Sequence, residues 1–291
     1  MENREEVRIA VPSKGRLREP ALKLLESAGI TLLNEHVRSL ISPTIIPWIS
    51  IIFVRAADIP RFVESGAADI GITGYDFMVE AEAKVEELLD LEFGFSRIVL
   101  AAPEGSRIKS PNDLGPDAKV ATKFPRIAEK YFKSKNVKVQ LVKVSGAAEI
   151  APLVRVADAI VDLTSTGVTL KIHGLKIVDE ILRSSARLIT SRKALEAKKR
   201  EIEEVVTAIL SVLKAKGKKL IMMNVPEEKL QEVVRLIPSM GGPTIARVES
   251  KPPMWEVYSV IDEKDVYRVI NSVKAAGARD IIVLPIERII P

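Results

Sequence analysis

The chain contains no cysteine and only two histidines, His36 and His173. Disulfides, thiolate metal sites and a cysteine nucleophile are therefore excluded. Two imidazoles far apart in sequence, neither inside a Ser/Asp pattern, do not make a histidine triad or a zinc site, and both read as surface or loop residues. Aromatic residues make up 4% of the chain and are scattered, whereas single-strand nucleic-acid binders need them interleaved with clustered cations. No apolar run reaches the roughly 18 uncharged residues of a membrane-spanning helix. The opening Met1-Glu2-Asn3-Arg4-Glu5-Glu6 lacks the apolar core of a signal peptide, so a cytoplasmic protein without membrane attachment is expected. Glutamine occurs only at Gln140 and Gln231 while Lys and Glu abound, a composition compatible with a thermophilic source.

What is present is ordinary globular material. With 291 residues, 47% of them hydrophobic, the chain can bury substantial cores and is expected to form two or three domains. Lys and Arg number 44 against 39 acids, a net charge of +5, but the signs are interspersed. Even the basic stretches, residues 191–201 and 214–219, adjoin acids or a linker, the pattern of solvated helix faces; no nucleic-acid partner is expected.

The chain opens with an apolar strand, Val7 to Val11, then Pro12-Ser13-Lys14-Gly15-Arg16-Leu17 and a helix to about Ala28 with Leu17, Ala21, Leu24 and Leu25 on one face. Lys14 and Arg16 beside Gly15 either await a polyanion at the C-terminal end of the first strand or are two solvated cations. Strands follow at 48–54 and 68–73, with a short helix from about Asp58 and another through Glu80. Thr73 and Gly74 open a polar pocket at a strand end, where small residues let a ligand approach the backbone; close helix-strand packing at Gly71 and Gly74 is a second reading, compatible with the first. From Leu91 a strand crosses to a second βα series: a strand at 119–122, a helix from Pro125 with Ile127, Ala128, Tyr131 and Phe132 buried, a strand at 137–144, and a helix from Gly146 that brings Glu149 toward Asp162. Ala159 to Leu163 reads as a buried parallel strand with the acid Asp162 near its C-terminal edge. Thr164, Ser165, Thr166, Gly167 and Thr169 follow it directly. Hydroxyls and backbone N–H groups in one small space suit a phosphate, and Asp162 suits sugar hydroxyls; a plain Ser/Thr/Gly turn is the alternative. Segments 175–182 and 186–190 read as return strands that take the chain back to the first lobe, and 194–213 as one long helix. Beyond it the order becomes βαββαβ, that of a ferredoxin-like domain, with no catalytic cluster.

Several segments together resemble the long-form ATP phosphoribosyltransferase family along the whole chain. They are Val-Pro-Ser-Lys-Gly-Arg-Leu (11–17), Asp-Ile-Gly-Ile-Thr-Gly (69–74), Val-Ala-Thr-Lys-Phe-Pro (120–125), Gly-Ala-Ala-Glu-Ile-Ala-Pro (146–152), Ala-Asp-Ala-Ile-Val-Asp-Leu-Thr-Ser-Thr-Gly-Val-Thr-Leu (157–170), Ser-Ser-Ala-Arg-Leu-Ile (184–189) and Gly-Gly-Pro-Thr-Ile (241–245). The commoner phosphoribosyltransferase signature has two adjacent acids before Thr-Thr-Gly. Here Leu163 takes the second acid's place, as is usual in this family, and Ser13 stands where many members carry another polar residue.

The resemblance implies an α/β fold of two periplasmic-binding-protein-like lobes and a C-terminal ferredoxin-like regulatory domain. Residues 1–95 with the return segment 186–213 would form lobe I, 96–185 the phosphoribosyl pyrophosphate-binding lobe II, and 214–291 the histidine-binding domain. It also implies transfer of 5-phosphoribosyl to N1 of ATP with loss of pyrophosphate, the first step of histidine biosynthesis. Mg²⁺ would bind mainly through substrate phosphates, histidine would inhibit, and active dimers would assemble into hexamers. Asp162, Glu149 and Lys14 would be catalytic. Asp162 with Thr164, Ser165, Thr166, Gly167, Val168 and Thr169 would hold phosphoribosyl pyrophosphate, and Lys14, Arg16, Gly71, Thr73 and Gly74 would hold ATP. Asn224, Gly242, Pro243 and Thr244 would bind histidine. A non-catalytic two-lobed small-molecule sensor is the competing reading, distinguished by ligand binding without pyrophosphate release.

Overall fold

A computed structural model describes residues 4–33, 40–146, 148–239 and 241–290; His36 lies outside them. The chain divides into two compact units, Met1–Val206 and Thr207–Pro291, the boundary falling upstream of residue 214.

The first unit holds two α/β lobes. Lobe I begins with β1 (Val7–Pro12), α1 (Arg18–Ser27), β2 (Ile41–Pro43), β3 (Ile49–Val54), α2 (Ile59–Glu64), β4 (Ile70–Gly74), α3 (Tyr75–Ala81) and β5 (Glu86–Asp90). The chain then crosses to lobe II: β6 (Ser96–Pro103), β7 (Lys119–Thr122), α4 (Pro125–Ser134), β8 (Gln140–Lys143), β9 (Ala159–Thr164), α5 (Val168–Ile172) and β10 (Leu175–Ser184). It returns through β11 (Ala186–Thr190), α6 (Arg192–Ala197) and the start of α7 (Lys199–Ala215), the helix within which the unit boundary falls. Among the described residues the sheets run β2-β3-β1-β4-β11-β5 and β10-β6-β9-β7-β8. The strand that has just crossed is antiparallel to its neighbours in each lobe, β11 against β4 and β5, β6 against β9 and β10. The two lobes therefore repeat one arrangement, and the central strands β1, β4, β7 and β9 are apolar because helices cover both faces.

Several elements differ from the sequence reading. β2 and β5 are edge strands with little apolar alternation, and neither was expected. The segment after Gly146 forms only a 3-10 turn, Ala148–Ile150, which packs against β9. The helix expected over 194–213 is two helices, broken at Lys198, whose backbone leaves the helical region. Lys198 Nζ instead reaches Asp69 Oδ1 at 2.9 Å and the Glu6 carbonyl at 2.5 Å. Asp69 is buried and its other oxygen accepts the Arg8 backbone N–H, so the break places a cation where a buried carboxylate requires one.

The lobes are pinned through α3. Met78 packs on the lobe I cluster around Ile59, Val63 and Ile189, while Phe77 and Val79 pack on the lobe II core of Ile98, Val120 and Phe124. Phe77 and Phe124 stack with ring centroids 5.9 Å apart. The first turn of α4 has no capping side chain of its own, since Phe124 holds the N-cap position. Glu80 of α3 supplies the missing acceptor across the lobes, taking the N–H groups of Arg126 at 3.2 Å and Ile127 at 3.0 Å. In return the Arg126 guanidinium donates to the carbonyls of Glu80 and Ala81 at the end of α3. Each helix end thus satisfies orphan groups of the other.

The second unit contains β12 (Lys218–Pro226), α8 (Leu230–Leu236), β13 (Thr244–Val248), β14 (Met254–Asp262), α9 (Val266–Ala275) and β15 (Arg279–Pro285). Its sheet order β13-β14-β12-β15 is antiparallel throughout, as the ferredoxin-like order requires. Ile221, Met223, Val225, Val257 and Ile261 on one sheet face meet Val233, Val269 and Val273 of the helices.

The shared cap between the lobes has a measurable weight. Glu80→Ala is expected to destabilise the chain by about 1 kcal/mol, the usual cost of losing an N-terminal cap, and Glu80→Gln by less. Equal urea midpoints for the parent and Glu80→Ala would show that the cap carries no stability.

Candidate active site

The C-terminal edges of β1, β4, β7 and β9 carry four loops whose side chains meet between the lobes, where open α/β sheets bind ligands. From β1, Arg16 sits at the exposed loop but is not a free solvated cation. Its guanidinium donates to the Gly94 carbonyl at 2.6 Å and to Ser96 Oγ at 2.8 Å, both on the crossing segment. Burial lowers its pKa, opposed by the charge of Asp76. Gly94 is held at φ +64°, and a Cβ there would strike Leu17, so the crossing segment requires glycine at this point. Lys14 is exposed on the same loop.

From β4, the structure changes the expected nucleotide set. Gly71 is glycine because α2 lies against it: a Cβ would come within 2.5 Å of Ile59 and 2.8 Å of Val63. Thr73 is fully buried, and its hydroxyl donates to the Ala56 carbonyl at 2.7 Å. Neither therefore presents a side chain to a ligand. What this edge offers instead is Asp76, two residues past Gly74, whose added Cβ would collide with the Asp76 carboxylate. Asp76 is completely buried at the start of α3. Ser184 Oγ donates to Asp76 Oδ1 at 2.6 Å and accepts the Asp76 backbone N–H at 3.0 Å, while Oδ2 has no partner. Burial raises the Asp76 pKa above the usual carboxylate range, opposed by Ser184, Arg16, its own backbone and Lys123.

From β9, Asp162 is buried and accepts from the Leu163 N–H at 2.7 Å and from Lys123 Nζ at 3.0 Å. Lys123 follows β7, the strand next to β9, with Thr122 paired to Val161. The loop after Asp162 is closed by its own hydroxyls: Thr164 Oγ1 accepts the Gly167 N–H at 2.9 Å and Thr166 Oγ1 the Val168 N–H at 3.4 Å. Gly167 has φ +82°, a left-handed position that favours glycine. Ser165, Thr166, Val168 and Thr169 are exposed. Ser165 also borders a cavity of about 580 Å³, lined in part by Ser96, Arg97, Glu180, Arg183 and Ser184. Glu149 lies on the turn that packs against β9. His173 caps the C-terminus of α5.

The cleft thus unites Arg16, Asp76, Lys123, Asp162 and the hydroxyl loop. Asp76, Lys123 and Ser184 were not singled out as site residues from sequence. The available signal was position, since Asp76 and Lys123 each stand just past the C-terminal edge of a buried strand. Among the described residues no group of three His, Asp or Glu side chains could hold a metal ion. A hard divalent cation takes about six oxygen ligands, so the acids of this cleft fit one that draws most of its ligands from a bound diphosphate and water.

In the second unit, Thr244 pairs with Tyr258, and Asn224 with Glu256. Thr244 and Asn224 therefore share a sheet face, but β14 lies between their strands, roughly 10 Å from one to the other by strand spacing. Their strands are thus not hydrogen-bonded neighbours. Asn224 instead donates to Asp280 Oδ2 at 3.1 Å. Gly242, at φ +109°, and Pro243 lead into β13.

Two α/β lobes joined by paired crossings, with charged loops facing across a cleft, define a protein of the periplasmic-binding-protein-like class extended by a ferredoxin-like domain. Comparison with known proteins narrows this. The family model "HisG: ATP phosphoribosyltransferase" matches residues 55–211 and "HisG, C-terminal domain" residues 215–288. ATP phosphoribosyltransferase of Methanopyrus kandleri is 53% identical over 98% of this chain and 100% of its own length. That of Methanothermobacter thermautotrophicus is 50% identical over 98% and 99%. The solved ATP phosphoribosyl transferase (HisG:HisZ) complex from Thermotoga maritima contains a chain 30% identical to this one, with a TM-score of 0.62 over 70% of this chain and 98% of that one. The chain belongs to the ATP phosphoribosyltransferase family and is an enzyme of histidine biosynthesis acting on ATP and phosphoribosyl pyrophosphate.

The buried Asp76 makes a prediction about pH. An acid whose folded pKa is raised binds more protons folded than unfolded. Stability is then greatest below the unfolded value and falls as pH rises through the folded one. Asp76→Asn keeps an acceptor for Ser184 and buries no charge. Its melting temperature at pH 7 is expected to equal or exceed the parent's, with the difference closing toward about pH 4. A variant melting well below the parent at pH 7 would contradict this.

Proposed function

We propose that the cleft transfers the 5-phosphoribosyl group from phosphoribosyl pyrophosphate to N1 of the ATP adenine, releasing pyrophosphate. The observation that supports this reading is the juxtaposition of a buried acid, Asp162, with an immediately following loop of hydroxyls and N–H groups, opposite the Arg16 and Asp76 edge of the other lobe. The loop from Thr164 to Thr169, with Ser165, Thr166, Gly167 and Val168, holds the 5-phosphate. Its N–H groups exchange their present hydroxyl acceptors for phosphate oxygens, a stronger charge-assisted bond. Asp162 takes the ribose hydroxyls, with Glu149 beside it.

Loss of pyrophosphate leaves positive charge on the ribose ring. Catalysis therefore lies in fixing the sugar phosphate, stabilising the leaving group and presenting N1 to the opposite face. N1 carries its own lone pair and needs no strong base. Lys14 and Arg16 answer nucleotide phosphate charge from lobe I, and the Gly74 to Asp76 segment borders the adenine. Mg²⁺, held mainly by substrate phosphates, supplies neutralisation of the departing diphosphate. Residues 214–291 form the regulatory domain in this reading, with Gly242, Pro243, Thr244 and Asn224 as contacts for inhibitory histidine. Because Thr244 and Asn224 lie on separated strands, they act as two contact points rather than one pocket. Histidine inhibits by preferring one of two domain arrangements. The enzyme works in the cytoplasm as a homo-oligomer, with dimers assembling into hexamers.

Pyrophosphate release that requires both ATP and phosphoribosyl pyrophosphate tests the reaction; release with either alone, or none, would refute it. Asp162→Asn is expected to reduce kcat/KM for phosphoribosyl pyrophosphate at least tenfold, about 1.4 kcal/mol, and parental kinetics would remove Asp162 from the site. Thr244→Ala is expected to blunt histidine inhibition with turnover intact. Undiminished sensitivity in this variant and in a second at Asn224 would discard the effector assignment.

A further inference from the structure

Lys123 lies in the segment Val-Ala-Thr-Lys-Phe-Pro, and no role follows for it from the reading above. It stands immediately past the C-terminal edge of β7, between the end of that strand and α4. Because β7 and β9 are parallel neighbours with Thr122 opposite Val161, Lys123 is level with Asp162. Its Nζ lies 3.0 Å from Asp162 Oδ1, and its side chain is 36% exposed against 10% for Asp162. The head group therefore meets the carboxylate on one side and the open cleft on the other. The stem passes over the ring of Phe124, with Nζ 5.3 Å from the centroid, which holds the ammonium above the sheet edge. From the facing lobe Asp76 feels the charge of Lys123.

With its 5-phosphate in the loop after β9 and its ribose hydroxyls on Asp162, a phosphoribosyl pyrophosphate whose C1 points along the edge toward the neighbouring strand β7 carries its diphosphate to the end of that strand. The group waiting there is Lys123. Arg16 and Lys14 both stand on the loop after β1, in the facing lobe, where the reading above gives them the nucleotide phosphates. Lys123 is thus the cation that the lobe holding the sugar brings to the leaving group. We propose that Lys123 is a catalytic residue of this reaction, moving from Asp162 to the diphosphate of phosphoribosyl pyrophosphate. In the ligand-free chain the ion pair keeps both side chains in place. When ribose hydroxyls donate to Asp162 they take over the acceptor that Lys123 occupies, and the ammonium passes to the diphosphate oxygens. As the C1–O bond breaks, its electron pair goes to the departing pyrophosphate, and the N1 lone pair forms the new bond to C1. The ammonium donates hydrogen bonds to the oxygens that gain this charge and gives up no proton. A compact ammonium on a flexible stem suits a group that must shift between two anions.

The proposal rests on the phosphoribosyl-transfer reading, so its test separates the two. The full-length parent, Lys123→Ala, Lys123→Arg and Asp162→Asn are compared in steady-state pyrophosphate release and in calorimetric binding of inorganic pyrophosphate in chelator-containing buffer. Lys123→Ala is expected to lose at least tenfold in kcat/KM for phosphoribosyl pyrophosphate and at least tenfold in pyrophosphate affinity, with ATP affinity changed less than twofold. Lys123→Arg is expected to recover most of both losses. Asp162→Asn is expected to bind pyrophosphate no more weakly than the parent, because Asp162 meets the ribose and not the diphosphate. Parental pyrophosphate affinity in Lys123→Ala would overturn the proposal while leaving the reaction standing. An equal loss of pyrophosphate affinity in Asp162→Asn and Lys123→Ala would also overturn it, by reducing Lys123 to a residue that positions Asp162. A parent that releases no pyrophosphate with both substrates present would refute the reaction itself.

Discussion

The seven residues of α3 are the constraint on which the first unit depends. They follow β4 of one lobe, yet Phe77 and Val79, half-buried, pack against the core of the other, while Met78 packs against its own. A helix shared between two cores cannot move with one lobe without uncovering apolar surface of the other. Each such side chain is worth about 1.5 to 3 kcal/mol when fully buried. The polar ends reinforce the arrangement. Ser184 closes on Asp76 at the start of α3, Ser185 accepts the Tyr75 N–H through its carbonyl, and Glu80 reaches the first turn of α4 at the far end.

This wedge also explains the electrostatics of the cleft. The two crossings run side by side, the Leu91 N–H donating to the Ala186 carbonyl and the Ala186 N–H to the Phe93 carbonyl. Arg16 fastens the loop of β1 to the first crossing, and Ser184 fastens α3 to the second. Asp76 is thereby carried into a water-free position between cations from both lobes, where burial opposes its ionisation. Asp162, at the end of β9, has different surroundings, with a partly exposed ammonium at hydrogen-bond distance.

Much of this was legible along the chain because its physical causes are local. Apolar strands end in Gly, Ser and Thr, helical faces repeat at the expected spacing, and the change of rhythm after α7 marks the ferredoxin-like unit. The hydroxyl loop after Asp162 and the cationic loop after β1 stand out for the same reason: each is a short run of unusual composition at a strand edge. Where the reading stopped short, the deciding contact was distant. The Thr73 hydroxyl donates to the Ala56 carbonyl, seventeen positions away, and Gly71 makes room for the approach of α2. The helix over 194–213 had an unbroken apolar stripe, yet it breaks at Lys198 to reach Asp69.

By itself the sequence determined the class of most elements, the succession of two α/β lobes and a ferredoxin-like unit, and the two strand-end loops that carry charge and hydroxyls, because periodicity and composition act over a few residues. Only the tertiary structure decided which of those polar groups remain available. It placed Lys123 against Asp162, tied the Thr73 hydroxyl to the Ala56 carbonyl, buried Asp76 with one oxygen unpaired, and separated Thr244 from Asn224 by a strand. The physical reason is that a side chain's hydrogen-bond partner and its access to solvent depend on what the chain brings back from tens of residues away. No local pattern encodes that return.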